Sequence, residues 1–187
     1  MFSWAVNQHL HLKLVEPNDA AQMFQITDES RHYLRQWLPW VDAIRTVVDT
    51  QDFIAQSMAQ YAANNGFQAG IWWERELVGC IGFHAIDWTN RATSVGYWLK
   101  EAAQGHGIMT QAAEALVSLA FRHYQLNRVE IQAAVGNLKS RAIAQRLGLV
   151  QEGILRQKEW LYDHFVDHVV YAALASEWSA RLDATVP

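Results

Sequence analysis

The chain has 187 residues, 51% of them hydrophobic, with 15 basic and 19 acidic side chains and a net charge of −4. That size can bury a sizeable core and implies one domain over residues 1–187. The balance offers no basic face for nucleic acid, no stretch approaches the roughly 18 uncharged apolar residues of a membrane span, and the one cysteine, Cys80, excludes an internal disulfide and implies a reducing, cytoplasmic setting.

The opening "MFSWAVNQHLHLKLVEP" lacks a basic segment followed by a long apolar run, so no signal peptide is expected. Residues 9–15 alternate, with Leu10, Leu12 and Leu14 on one side, and read as a strand. "NDAAQMFQITDESRHYLRQWL" reads as one or two helices, capped by Asn18 or Asp19 and closed by Pro39. "DTQDFIAQSMAQYAANNG" is a further helix, capped by Asp49 or Thr50 and ended by Gly66. Three strands follow, "FQAGIWWE", "LVGCIGFHAID" and "RATSVGYWL". Turns at Arg75–Glu76 and at residues 88–90 make them an antiparallel meander. Next come a glycine loop and a helix with Ile108, Ala112, Leu116, Leu119 and Ala120 on one face. "RVEIQAAV" is β-rich, and a helix over residues 137–147 ends at Gly148. Two strands around a loop near residues 163–165 close the chain. Hairpins followed by alternating helices and strands indicate a mixed α/β sheet.

The loop is "AAQGHGIMTQAAEAL", residues 102–116. Where a helix opens, backbone N–H groups lack partners and the aligned peptide dipoles place positive charge there. An anion can sit on that end, and Gly105 and Gly107 let it approach. The competing reading is a loop in which glycine only relieves strain. No lysine follows as a P-loop requires, and Thr110 stands where a dinucleotide fingerprint needs glycine.

"VGYWLKEAAQGHGIMTQAAEAL" resembles the acetyl-CoA motif Q/R-x-x-G-x-G/A of the GNAT N-acetyltransferases, with Gln104, Gly107 and Met109 at the three places. Methionine departs from the usual small residue, but "GIMT" resembles the RimJ/RimL branch. The resemblance extends through "VEIQAAVGNLKSRAIAQRLGLVQEGILR". It implies a largely antiparallel sheet of six to seven strands, flanked by helices, with a splayed central strand pair. It also implies that acetyl-CoA is the co-substrate, that no metal is needed, and that a homodimer forms. The backbone of Gln104, Gly105, His106, Gly107, Ile108, Met109 and Thr110 would grip the diphosphate of coenzyme A. The backbone of Tyr97, Trp98 and Leu99 would hold the pantetheine arm and acetyl carbonyl, while their side chains pack.

Acyl transfer from a thioester to an amine needs a neutral amine, donors toward the carbonyl oxygen, a donor for the departing thiolate, and alignment. The resemblance gives Asn137 to the pantetheine arm, although an ordinary helix N-cap explains it equally well. Ser140 would donate to the departing sulfur, because the position four further on, a tyrosine in many relatives, is Ala144. Glu159 is the candidate base; an ion pair with Lys158 or Arg156 is the competing reading. His164 and His168 are four apart, a metal-binding spacing only on a helix, so both read as surface or packing residues. Cys80 reads as a core thiol rather than a nucleophile.

RimL-like enzymes acetylate the N-terminal α-amine of ribosomal proteins at serine or alanine. The acceptor is therefore expected to be a protein N-terminus, met by "HYLRQWLPW" and the last hairpin. A small amine, or binding of acyl-CoA without turnover, are the alternatives. Arg31, Arg35 and Arg45 either face an acidic acceptor or form a solvated helix face.

Overall fold

The computed structural model describes residues 3–183; residues 1–2 and 184–187, the ends of the expected 1–187 domain, lie outside them. In chain order the elements are β1 (Ser3–Ala5), β2 (Leu10–Leu14), α1 (Ala20–Glu29), α2 (Arg31–Leu34), α3 (Val47–Ala62), β3 (Phe67–Trp73), β4 (Glu76–Phe83), β5 (Ala92–Leu99), α4 (Ile108–Arg122), β6 (Arg128–Ala134), α5 (Leu138–Arg146), β7 (Val150–Leu161), β8 (His164–Leu174) and α6 (Ala175–Asp183). The strands form one mixed sheet in the order β1-β2-β3-β4-β5-β6-β8-β7. Every adjacent pair is antiparallel except β5–β6. The sheet thus has eight strands rather than six or seven. The extra one is β1, whose three residues are too few to show a periodicity.

Helices cover both faces. Ile108, Ala112, Leu116 and Ala120 of α4 pack with Val78, Ile81 and Phe83 of β4 in the larger core. On the other face Met23 and Ile26 of α1 and Ile54 of α3 pack on Leu77 and Cys80. Covered on both sides, β4 is buried from Leu77 to Phe83, which is why it reads as an unbroken apolar run. Leu116 is fully buried, and each such side chain contributes about 1.5–3 kcal/mol.

Three local expectations are corrected. The β3–β4 turn is Glu74–Arg75, with φ of 49° and 70°. Glu76 already pairs with Trp73, and a two-residue turn of this hand needs positive φ at both central positions. The cap of α3 is Thr46, whose Oγ1 accepts from the Asp49 N–H; Asp49 Oδ2 accepts in return from the Thr46 N–H at 2.8 Å. The expectation had found the third residue of a capping box and mistaken it for the first. At α1 neither Asn18 nor Asp19 caps by its side chain. A 3-10 turn over Pro17–Asp19 precedes the helix, and Asp19 Oδ2 turns back to accept from the Glu16 N–H at 2.9 Å.

The feature that positions the site is the parting of β5 from β6. Their parallel pairing covers only Ala92–Ser94 against Arg128–Glu130. Beyond it β5 stays paired to β4 through Leu99, and β6 to β8 through Ala134. The mouth between them leaves one edge of β5, from Val95 to Leu99, free of a strand partner. This is the splayed pair that the resemblance implied.

Candidate active site

Two regions meet at that mouth. The first is the glycine loop. A 3-10 turn over Glu101–Ala103 ends at Gln104, and Gly107, at φ 73°, is the N-cap of α4; Gly105 has φ 83°. Left-handed conformations of this kind favour glycine. Gly107 contributes no side chain to cap the helix, and its carbonyl accepts the first bond of the helix, from Gln111. Among the described residues, none accepts a hydrogen bond from the backbone N–H groups of positions 105–110. A row of main-chain donors therefore stands open at the positive end of a 15-residue helix, and the loop fits a diphosphate. Ile108 and Met109 bury their side chains in the core. That accounts for methionine in place of a small residue, since only its backbone faces the loop.

Helix α5 ties the loop to the second region. Lys139 Nζ donates to Gln104 Oε1 at 2.8 Å, and Arg146 Nη1 donates to Thr110 Oγ1 at 3.3 Å. These place cationic groups beside the open donors, and His106 stands exposed in the loop. Neither Lys139 nor Arg146 was singled out from sequence, because their nearness to the loop depends on how α5 packs. Asn137 is the N-cap of α5: its Oδ1 accepts from the Ser140 N–H at 3.1 Å, so the ordinary capping role holds. Its side-chain amide donors remain for other partners.

The second region is a cavity of about 760 Å³. It brings together five of the expected residues, Tyr97, Trp98, Asn137, Ser140 and Glu159; Leu99 instead packs in the larger core, and the loop residues 104–110 lie outside the cavity wall. Tyr97 Oη is 3.1 Å from Ser140 Oγ. Burial pushes the Tyr97 hydroxyl up to about 12, so it remains protonated at neutral pH. Sequence reasoning gave Tyr97 a backbone role only; its hydroxyl meeting Ser140 is new. Burial also pushes the Cys80 thiol up to about 12, which removes it as a nucleophile.

Trp37, Trp40, Trp98, Phe53 and Met23 give the cavity an apolar wall. The Trp40 and Trp98 rings are 6.0 Å apart. The three arginines proposed for an acidic acceptor are engaged elsewhere. Arg31 donates to the carbonyls of Val41 and Ile44, both at 2.6 Å. Arg35 pairs with Asp42 and stacks 3.8 Å from the Tyr162 ring. Arg45 Nε donates to the Asp42 carbonyl at 3.0 Å. Together they hold the segment that carries Trp37 and Trp40 against the cavity.

Glu159 lies on the opposite wall, with 30% of its side chain exposed. Its neighbour is neither Lys158 nor Arg156 but His168, whose Nε2 lies 3.3 Å from Glu159 Oε2. His164, read from sequence with His168 as a surface or packing residue, pairs with Asp163 at the hairpin tip, and among the described residues no cluster fit for a metal exists. Among them, too, no helix is long and apolar enough to cross a membrane.

Comparison with known proteins bears on this geometry. Residues 9–150 match the family described as "Acetyltransferase (GNAT) domain". YdaF of Bacillus subtilis (strain 168) is 37% identical over 183 residues, 97% of this chain and 100% of the relative. The ribosomal-protein-serine acetyltransferase of Escherichia coli (strain K12) is 31% identical over 169 residues, 90% of this chain and 94% of its own. Among solved structures, RimL, a ribosomal L7/L12 alpha-N-protein acetyltransferase in complex with coenzyme A, superposes with a TM-score of 0.90 at 27% identity, over 92% of this chain and 98% of that one.

Proposed function

Since the chain belongs to the GNAT acetyltransferase family, we propose that it moves the acetyl group of acetyl-CoA to a primary amine by direct attack. The acceptor in this reading is the N-terminal α-amine of a ribosomal protein, in the cytoplasm. Two relatives support that acceptor, one named for ribosomal-protein serine and one for L7/L12. The observation that carries the proposal is the open row of donors at residues 105–110 beside a cavity with a carboxylate and a hydroxyl pair on its walls.

When bound, acetyl-CoA supplies the activated acetyl group. The main-chain N–H groups of Gly105 to Thr110 hold its diphosphate, and the unpartnered edge of β5 at Tyr97–Leu99, with Asn137, aligns the arm. The hydroxyls of Tyr97 and Ser140 face the departing sulfur. Their mutual 3.1 Å contact keeps them aimed, and neither ionises at neutral pH. Glu159 takes the proton of the incoming ammonium. An α-amine, with a model value near 8 against about 10.4 for lysine, needs less driving force for this step. A homodimer belongs to the same reading; exposed Ile154, Trp160 and Phe165 on the outermost hairpin support it.

The test is thiol release from acetyl-CoA against peptides beginning with serine or alanine, lysine peptides, polyamines and aminoglycosides. Turnover highest with the serine and alanine peptides is the expected result. A small amine that outpaces every peptide would replace the acceptor. Heat stabilisation by acetyl-CoA with no acetylation of anything would leave a binding module.

A further inference from the structure

His168 lines the cavity where β6 ends. On β8 it pairs with Ala134, the last residue of β6, and with Leu155 of β7. Just beyond Leu155 the β7 register shifts: Arg156, Gln157 and Lys158 oppose the single residue Asp167. Gln157 takes φ 50°, and its N–H donates to Asp167 Oδ1 at 2.7 Å, which pins this bulge. Glu159 follows immediately and pairs with Val166. The bulge therefore fixes where the Glu159 carboxylate stands relative to the imidazole across the hairpin.

The imidazole has 13% of its side chain exposed, lines the cavity, and has both ring nitrogens buried without a hydrogen bond among the described residues. Buried polar atoms normally have partners. The charged or titratable groups on the surrounding elements include Arg156, Lys158 and Glu159 on β7, Asp167 and Tyr171 on β8, Arg141 on α5, Tyr97 on β5, Cys80 on β4 and His84 after β4. Arg141 is taken up by the Val135 carbonyl and the Tyr171 hydroxyl, Asp167 by the bulge, and His84 lies 2.9 Å from Ser94 Oγ. Among the described residues Glu159 alone stands in ion-pairing range of His168.

A lone carboxylate is a poor resting place for the proton of an α-ammonium. Free carboxylates of glutamate hold a proton near pH 4.3, imidazoles near 6.5 and α-amines near 8. Imidazole is thus better matched to the amine by about two pH units. Resting on the amine-acetylation reading above, we propose that Glu159 and His168 act as one proton-accepting pair, with His168 as the partner that holds the proton. The ammonium N–H bond breaks as an O–H bond forms on Glu159. That bond breaks in turn as N–H forms on His168 Nε2, leaving imidazolium beside carboxylate. The step requires the neutral imidazole to carry its own proton on Nδ1, so that Nε2 offers its lone pair. His168 acts through Glu159, as a positioning residue.

The experiment is the pH profile of kcat for a serine-terminated peptide in wild type, His168→Gln, Glu159→Gln and the double variant, with imidazole titration of His168 by NMR in wild type and Glu159→Gln. His168→Gln is expected to lower kcat about tenfold or more at pH 7, with both KM values within threefold. The acid limb should move from the imidazole range toward that of carboxylates. The double variant should lose little more than Glu159→Gln alone, because residues acting as a unit are not additive. His168 should titrate higher with Glu159 present than with glutamine, because an adjacent carboxylate favours the imidazolium. A His168→Gln enzyme within twofold of wild type with an unmoved acid limb would overturn the proposal, as would identical titration in the two proteins. If wild type acetylates no amine, the function proposed above fails; the titration still shows whether the pair exists.

Discussion

The glycine loop and the cavity proposed for the acceptor would solve the same problem, holding a ligand, with opposite parts of the chain. The loop offers backbone. Gly105 and Gly107 take positive φ, the donors of residues 105–110 stay open, and an added Cβ at Gly105 would meet no protein atom within 4 Å. The cavity offers side chains drawn from both helices of one face, six strands and α5. A main-chain site needs one local conformation, so its chemistry is written in consecutive residues. A side-chain site needs the whole fold, and depends on contacts such as Tyr97 to Ser140, 43 positions apart.

Breaking each region in turn should therefore damage different constants. The largest effect is expected for Gly107→Val. A β-branched residue at φ 73° costs roughly 1–3 kcal/mol of strain or shifts the loop, and either result spoils the row of donors. Coenzyme A affinity, measured by calorimetry, should fall about thirtyfold, with the affinity for an acceptor peptide unchanged. An unchanged coenzyme affinity would remove the loop from the site. Next in size is Ser140→Ala, which deletes the hydroxyl beside Tyr97. Single-turnover kcat should drop about tenfold, with KM for acetyl-CoA held within twofold, the pattern of an interaction made in the transition state.

The same contrast explains what the sequence disclosed. Alternation at Leu10 and Leu12, the apolar stripe of α4 and the loop glycines each follow from a local rule, and each is found in place. The β5–β6 parting became legible through resemblance; the full sheet order did not, since no single segment states which strand lies beside which. His168 read as a surface or packing residue because alternation does not fix a hairpin's register; the bulge at Arg156–Lys158 decides that Leu155 faces it. Trp37 and Trp40 belong to "HYLRQWLPW", the segment expected to meet the acceptor, but which of its side chains face a cavity is not written in consecutive residues. Their place on the wall depends on Arg31, whose bonds to the Val41 and Ile44 carbonyls tie the connection from α2 to α3.

That connection gives a smaller, sharper test of the side-chain region. Trp40→Ala removes an aromatic ring from the wall without touching Glu159, Ser140 or the loop. KM for a peptide acceptor should rise about fivefold while coenzyme affinity holds. A change confined to the coenzyme constant would mean that the wall belongs to the donor side, reversing the assignment of the two regions.

Cys80 marks the lower bound. It stands on the cavity wall, 2% exposed, with its Sγ 3.8 Å from Gln68 Oε1. A cavity thiol invites a two-step route in which sulfur first accepts the acetyl group and the amine then takes it. That route needs thiolate and a base beside it. Burial works against the anion and pushes the thiol up to about 12, so at pH 8 about one molecule in ten thousand carries thiolate. Cys80→Ala should therefore change turnover less than threefold and cost on the order of 1 kcal/mol of stability for the lost sulfur. Abolished turnover in a variant that still melts cooperatively would mean that the acetyl group passes through sulfur, and direct attack by the amine would have to be abandoned.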